Sequence, residues 1–189
     1  MIREARTGLS MLWRAQRRLL MRTLLPIIEP GIRLGKGVDI GRGAELRITC
    51  GGTITIEDDV AVERDVLIHA ERGSIVIGRN GFVGRGSQIV ALERVAIGPD
   101  ALIAAGVVIR DHDHRFTDET MLIREQGHNV APIEIGADVW LGAHAVVTAG
   151  STIGSGSVIG ANAVVRGEIA AGSVAAGIPA KILRHRSSE

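Results

Sequence analysis

Residues 135–165 read IGADVW-LGAHAV-VTAGST-IGSGSV-IGANAV-V, with an aliphatic side chain at every sixth position: Ile135, Leu141, Val147, Ile153, Ile159 and Val165. Glycine follows directly at Gly136, Gly142, Gly154 and Gly160. The same beat runs upstream through Ile56, Val62 and Ile68, then Ile77, Val83 and Ile89, then Ile97, Ile103 and Ile109. Ile40-Gly41 and Leu46 make a weaker start. A period of six matches neither the turn of a helix nor the alternation of a plain strand. It fits short flat strands joined by tight corners, each strand pointing one aliphatic side chain into a narrow interior. Three such sides make a coil of about 18 residues, and stacked coils bury what one coil alone would leave wet.

The composition of the whole chain suits that interior. Its 189 residues include 25 Gly, 23 Ile and 18 Val, but only four aromatics (Trp13, Phe82, Phe116 and Trp140) and no Tyr. A core without rings must be filled by aliphatic side chains, and Ile and Val with Gly at turns favour strands. A hydrophobic content of 46% with a net charge of +1 excludes an extended disordered chain. A lone cysteine, Cys50, excludes a disulfide scaffold and suits a reducing compartment. Near-neutral charge and the absence of Tyr leave no general pull towards nucleic acid.

Successive coils start at residues 56, 77, 97, 135 and 153. One interval is longer than a coil needs by about twenty residues, so an excursion leaves the solenoid between Arg110 and Pro132. Long excursions from compact repeats are usually functional or disordered. This one opens Asp111-His112-Asp113-His114-Arg115, with two of the six histidines. In an extended segment His112 and His114 point to the same side. A neutral imidazole is the natural general base near pH 7, and Asp111 or Asp113 could orient one ring. Two other readings stay open on these residues alone: a solvated histidine pair, or zinc ligands.

The two ends differ from the middle. Residues 3–25 hold six Arg against one acid, with Leu9, Leu12, Trp13, Leu19, Leu20 and Leu24 at helical spacing until Pro26 and Pro30 stop the pattern. Residues 1–30 therefore read as a basic amphipathic helix, 38–176 as the solenoid with its excursion over 110–132, and 177–189 as a tail. The helix either packs on the body or a neighbouring subunit, or lies on anionic lipid as a peripheral contact. Arg14, Arg17, Arg18 and Arg22 interrupt its apolar stretch, so no spanning or secretory segment is expected and the cytoplasm is the expected location. Trp140 has to sit at a corner or on an outer face, at a subunit contact or along a ligand groove. Lys181 and Arg184 in the tail are either a solvated end or phosphate ligands.

The hexapeptide series, the Asp111–Arg115 loop, the run from Ala131 to Gly142 and the close Ala176-Gly177-Ile178-Pro179-Ala180 together resemble the left-handed β-helix acyltransferases. Within them the chain is similar to the maltose/galactoside O-acetyltransferase group and to polysaccharide-modifying acetyltransferases. The likeness spans roughly residues 38–184. It implies a mainly β fold, a left-handed parallel β-helix with an N-terminal α-helix and an extended loop, assembled as a homotrimer with sites between subunits. It also implies acetyl-CoA as co-substrate and a carbohydrate acceptor. The catalytic histidine falls on His114, with His112 one alternate position upstream. The Ala143 N–H would meet the oxyanion beside Gly142, and the pantetheine arm would pass Ala143 and Ala161. Arg166, Lys181 and Arg184 would lie near the adenosine phosphates, and Trp140 would wall the acyl end. The acceptor-binding asparagine of the sugar acetyltransferases meets Gly84–Gly86 here, and the N-terminal segment does not match their acceptor domain. Basic helix and subgroup together favour a sugar of a cell-surface polysaccharide or its lipid-linked precursor.

Three other functions use the same features. An N-acetyltransferase of an amino-sugar nucleotide would share the donor site. A zinc lyase of the carbonic-anhydrase type would need His69, His112 and His114 to converge, a spacing unlike that family's ligand pattern. A non-catalytic solenoid would serve as an assembly module and would not be stabilised by CoA.

Overall fold

The computed structural model describes residues 29–187, so the helix read over residues 3–25 lies outside the described residues. Three sheets of seven, eight and six strands, parallel except for one antiparallel edge strand of the eight, form the faces of a β-solenoid, consistent with a left-handed β-helix. The first face stacks Ile32–Leu34, Thr53–Ile56, Ser74–Ile77, Arg94–Ile97, Ile133–Ile135, Thr152–Ile153 and Glu168–Ile169. The second face starts at Asp39–Ile40 and the third at Glu45–Thr49; the chain visits the faces in that order.

The six-residue beat becomes vertical ladders of identical chemistry. On the first face Ile56, Ile77, Ile97, Ile135, Ile153 and Ile169 pair in register, each buried. A second ladder of Ile54, Ile75, Val95 and Ile133 runs beside it. Burying one such side chain stabilises by roughly 1.5–3 kcal/mol, so the stack, rather than any single coil, supplies the stability. No aromatic ring among the described residues enters the interior. Phe82 is half-buried on an outer face, and Phe116 and Trp140 are exposed.

The corners need backbone of the left-handed region, and short polar side chains occupy it at Asp59, Asn80, Asp100, Asp138 and Asn162. At Gly142 the need is space: a Cβ there would stand 2.6 Å from the Ala161 nitrogen of the next coil. The outer surfaces differ in polarity. Thr55, Glu134, Thr152 and Glu168 point out from the first face. The second face carries an in-register apolar ladder of Phe82, Leu102, Trp140, Val158 and Val174. A shorter ladder, Val108, Val146 and Val164, lies on the third.

After Ser173–Gly177 the chain reverses, and Ala180–His185 pairs antiparallel with it, covering the edge of the second face. The segment read as a tail thus contains a strand. No helix among the described residues is long and apolar enough to cross a membrane.

Candidate active site

The repeat breaks after Val108–Arg110 on the third face and resumes at Ile133–Ile135 on the first, so the excursion leaves at the corner between them. It is an antiparallel hairpin, with His112–His114 paired to His128–Val130 and His114 directly opposite His128. Its tip is tied to itself. Gln126 Nε2 donates to the carbonyls of Asp118 and Met121, and Asp118 N–H donates to Gln126 Oε1. Hydrogen bonds from the Thr120 hydroxyl and N–H hold the Asp118 carboxyl below the usual carboxylate range. Around that frame Phe116, Met121, Leu122 and Ile123 are exposed.

The root of the hairpin is fastened by Asp111, whose side chain is fully buried. Its carboxylate accepts the N–H groups of Leu92 at 2.8 Å, Glu93 at 2.7 Å and Arg94 at 2.9 Å, all from the corner one coil below. One oxygen also lies 2.9 Å from His112 Nδ1. A buried carboxylate with this many donors is satisfied, and it fixes where the excursion starts. Of the two aspartates considered above, the structure places Asp111 against a ring, and that ring is His112.

The two strands bring three imidazoles together. The rings of His114 and His128 are 4.5 Å apart between centroids and tilted by 40°, and His112 meets His128 edge-on at 5.5 Å. Burial and the neighbouring imidazoles of His114 and His112 push the pKa of His128 down. His69 stands apart from this cluster, its Nε2 3.0 Å from the Thr49 hydroxyl. Among the described residues no group of three His, Cys, Asp or Glu side chains is arranged to hold a metal ion.

Beside His114 a cleft of about 730 Å³ opens between the hairpin and the coils above it. Asp113, His114, Phe116 and Asn129 line one side; Thr148, Ala149, Val164 and Arg166 line the other. Arg166 makes no ion pair among the described residues. His114 and Arg166, both proposed from sequence, therefore share one cleft. The remaining candidates sit elsewhere on the protomer. Trp140 projects from the second face. Gly142, Ala143 and Ala161 form the corner between the second and third faces, where Asn162 N–H bonds the Ala143 carbonyl of the coil below. Lys181 and Arg184 lie on the antiparallel strand, opposite Ala176 and Val174. Sequence reasoning missed His128 altogether. Its one available signal is its place in the same excursion, and the pairing that sets it opposite His114 is not written in any local pattern.

Two stretches match repeat families: residues 132–167 the bacterial transferase hexapeptide (six repeats), and residues 74–110 the hexapeptide repeat of succinyl-transferase. A protein of Mycobacterium tuberculosis named a probable acetyltransferase is 39% identical over 154 residues, 81% of this chain and 49% of its own length. A protein of Escherichia coli, whose name places it in lipopolysaccharide biosynthesis as an O-acetyl transferase, is 39% identical over 127 residues, 62% of this chain and 64% of its own. The chain thus spans about half to two-thirds of the curated relatives it matches. A solved galactoside acetyltransferase in complex with coenzyme A superposes with a TM-score of 0.53 at 30% identity, covering 79% of this chain and 64% of that one.

Proposed function

We propose, from the match of residues 132–167 and 74–110 to hexapeptide-repeat transferase families, that the chain is an acetyl-CoA-dependent O-acetyltransferase that modifies a sugar hydroxyl, in cell-surface polysaccharide biosynthesis. The observation that carries this reading is a histidine, His114, lining a cleft whose far wall offers the cation Arg166. The coenzyme A bound to the galactoside acetyltransferase structure supports the donor, and the name of the Escherichia coli relative supports the acceptor class.

In the reaction His114 takes the proton of the acceptor hydroxyl as its oxygen attacks the thioester carbonyl. General-base help of this kind contributes about 10²–10⁴-fold. A backbone N–H meets the developing oxyanion, and Ala143 supplies one whose hydrogen donates to no group among the described residues. As the C–S bond breaks, the His114 imidazolium returns its proton to the leaving thiolate. Arg166, Lys181 and Arg184 hold the adenosine phosphates, and Ala143 and Ala161 leave the pantetheine path open.

His114 and Trp140 lie on different faces of one protomer, so a complete site needs two. The apolar ladders on the second and third faces suit packing of one protomer's third face against its neighbour's second. A homotrimer places Trp140, Gly142 and Ala143 of the neighbour across the cleft from His114. The protein then works in the cytoplasm, with residues 3–25 available as a peripheral contact at the inner face of the membrane.

The test is His114→Ala. Transfer from acetyl-CoA to a hydroxyl acceptor falls by about 10³-fold while CoA still raises the melting temperature. Full activity in the variant overturns the role of His114. Faster transfer to a matched amino acceptor turns the reading to N-acetylation. A melting temperature of the wild-type chain indifferent to CoA removes the donor and leaves a non-catalytic solenoid.

A further inference from the structure

The hairpin carries a feature that general-base catalysis by one histidine does not use: a row of side chains running Asp111, His112, His128, His114. Its first member is a fully buried carboxylate tied to three backbone N–H groups, so that end of the row cannot drift. His112 is fixed to it through Nδ1 at 2.9 Å. His128 meets both remaining rings, edge-on to His112 and tilted by 40° against His114. The β-register puts His114 and His128 directly opposite each other, the arrangement in which cross-strand side chains interact most strongly.

We propose that His128 is a positioning residue: across the hairpin it holds the His114 ring at the cleft. The proposal rests on the reading of His114 given above. With centroids 4.5 Å apart and planes tilted by 40°, the two rings are in contact, so the His128 ring limits the rotamers open to His114. The charged and titratable groups facing His128 are His112 and His114 from its partner strand, and Glu71 and Arg72 from two coils below. Asp111 acts on it through His112, and Arg115 bonds Asn129, the next residue along.

The test uses the full chain, with steady-state kinetics and NMR of the imidazole resonances at one pH in the wild type, His128→Phe and His128→Ala. Phe keeps a ring against His114; Ala removes it. Plateau kcat stays within about twofold in His128→Phe and drops about tenfold in His128→Ala, with KM for acetyl-CoA unchanged. A kcat in His128→Ala within about twofold of the wild type, or one in His128→Phe as low as in His128→Ala, overturns the proposal. If His128→Ala does not fold, the Phe variant alone decides. Absence of any acetyl transfer by the wild type defeats the enzymatic reading, whereas the His114 ring resonances still report whether loss of the His128 ring frees that of His114.

Discussion

Removing the Asp111 carboxylate tests whether the excursion is held where the chemistry needs it. In Asp111→Ala three N–H donors lose their acceptor. Leu92 is only 8% exposed, so its N–H is left unsatisfied, at a cost of about 2 kcal/mol. Glu93 and Arg94 are exposed residues, and water replaces the carboxylate there for about 0.5 kcal/mol each. The sum is about 3 kcal/mol, or a melting temperature lower by about 6–12 °C for a chain of this size. Asp111→Asn keeps one carbonyl oxygen and loses about half as much. The assay is thermal unfolding followed by circular dichroism, with hydrogen exchange of the Leu92, Glu93 and Arg94 amides. Those amides exchange faster in the Ala variant, because they are the ones that the carboxylate protects. A variant melting within about 2 °C of the wild type, with the Leu92 amide still slow, would show that the fastening is not the one described.

Three further outcomes follow from the geometry. Gly142→Ala forces a Cβ to 2.6 Å from the Ala161 nitrogen, so the coils must part; unfolding shows a loss of about 1–3 kcal/mol, and an unchanged midpoint contradicts the close approach. Arg166→Ala raises KM for acetyl-CoA about tenfold and leaves kcat nearly unchanged, as removal of one charge-assisted phosphate contact should; steady-state kinetics with varied donor reads the split. His128 has a depressed pKa, so the unfolded chain binds its proton first as pH falls below the ordinary value of 6.5. Stability therefore declines on acidification through that range, and the decline is shallower in His128→Phe. Melting curves at a series of pH values measure both slopes, and parallel slopes argue against the assignment.

The architecture was legible because it is written at short range. One aliphatic residue per strand, six positions apart, fixes which side chain points inward without any knowledge of distant neighbours, and Ile56 through Ile169 fall into a ladder accordingly. The lack of aromatics told the same story from the other direction, since Phe82, Phe116 and Trp140 all stay outside the interior. Even the place of the excursion could be read, where the count of residues between coils stops matching.

Sequence by itself therefore determined the prism, its excursion and the candidacy of His112 and His114. Tertiary structure alone decided that Asp111 serves the backbone of the coil below and the ring of His112, and that His128 comes to lie against His114. It also separated Trp140 from His114 by placing them on different faces. The physical reason is the range of the contacts. A solenoid repeat is a local rule applied many times, whereas an antiparallel register across the excursion, and a carboxylate reaching back to Leu92, are settled only once the chain has folded over itself.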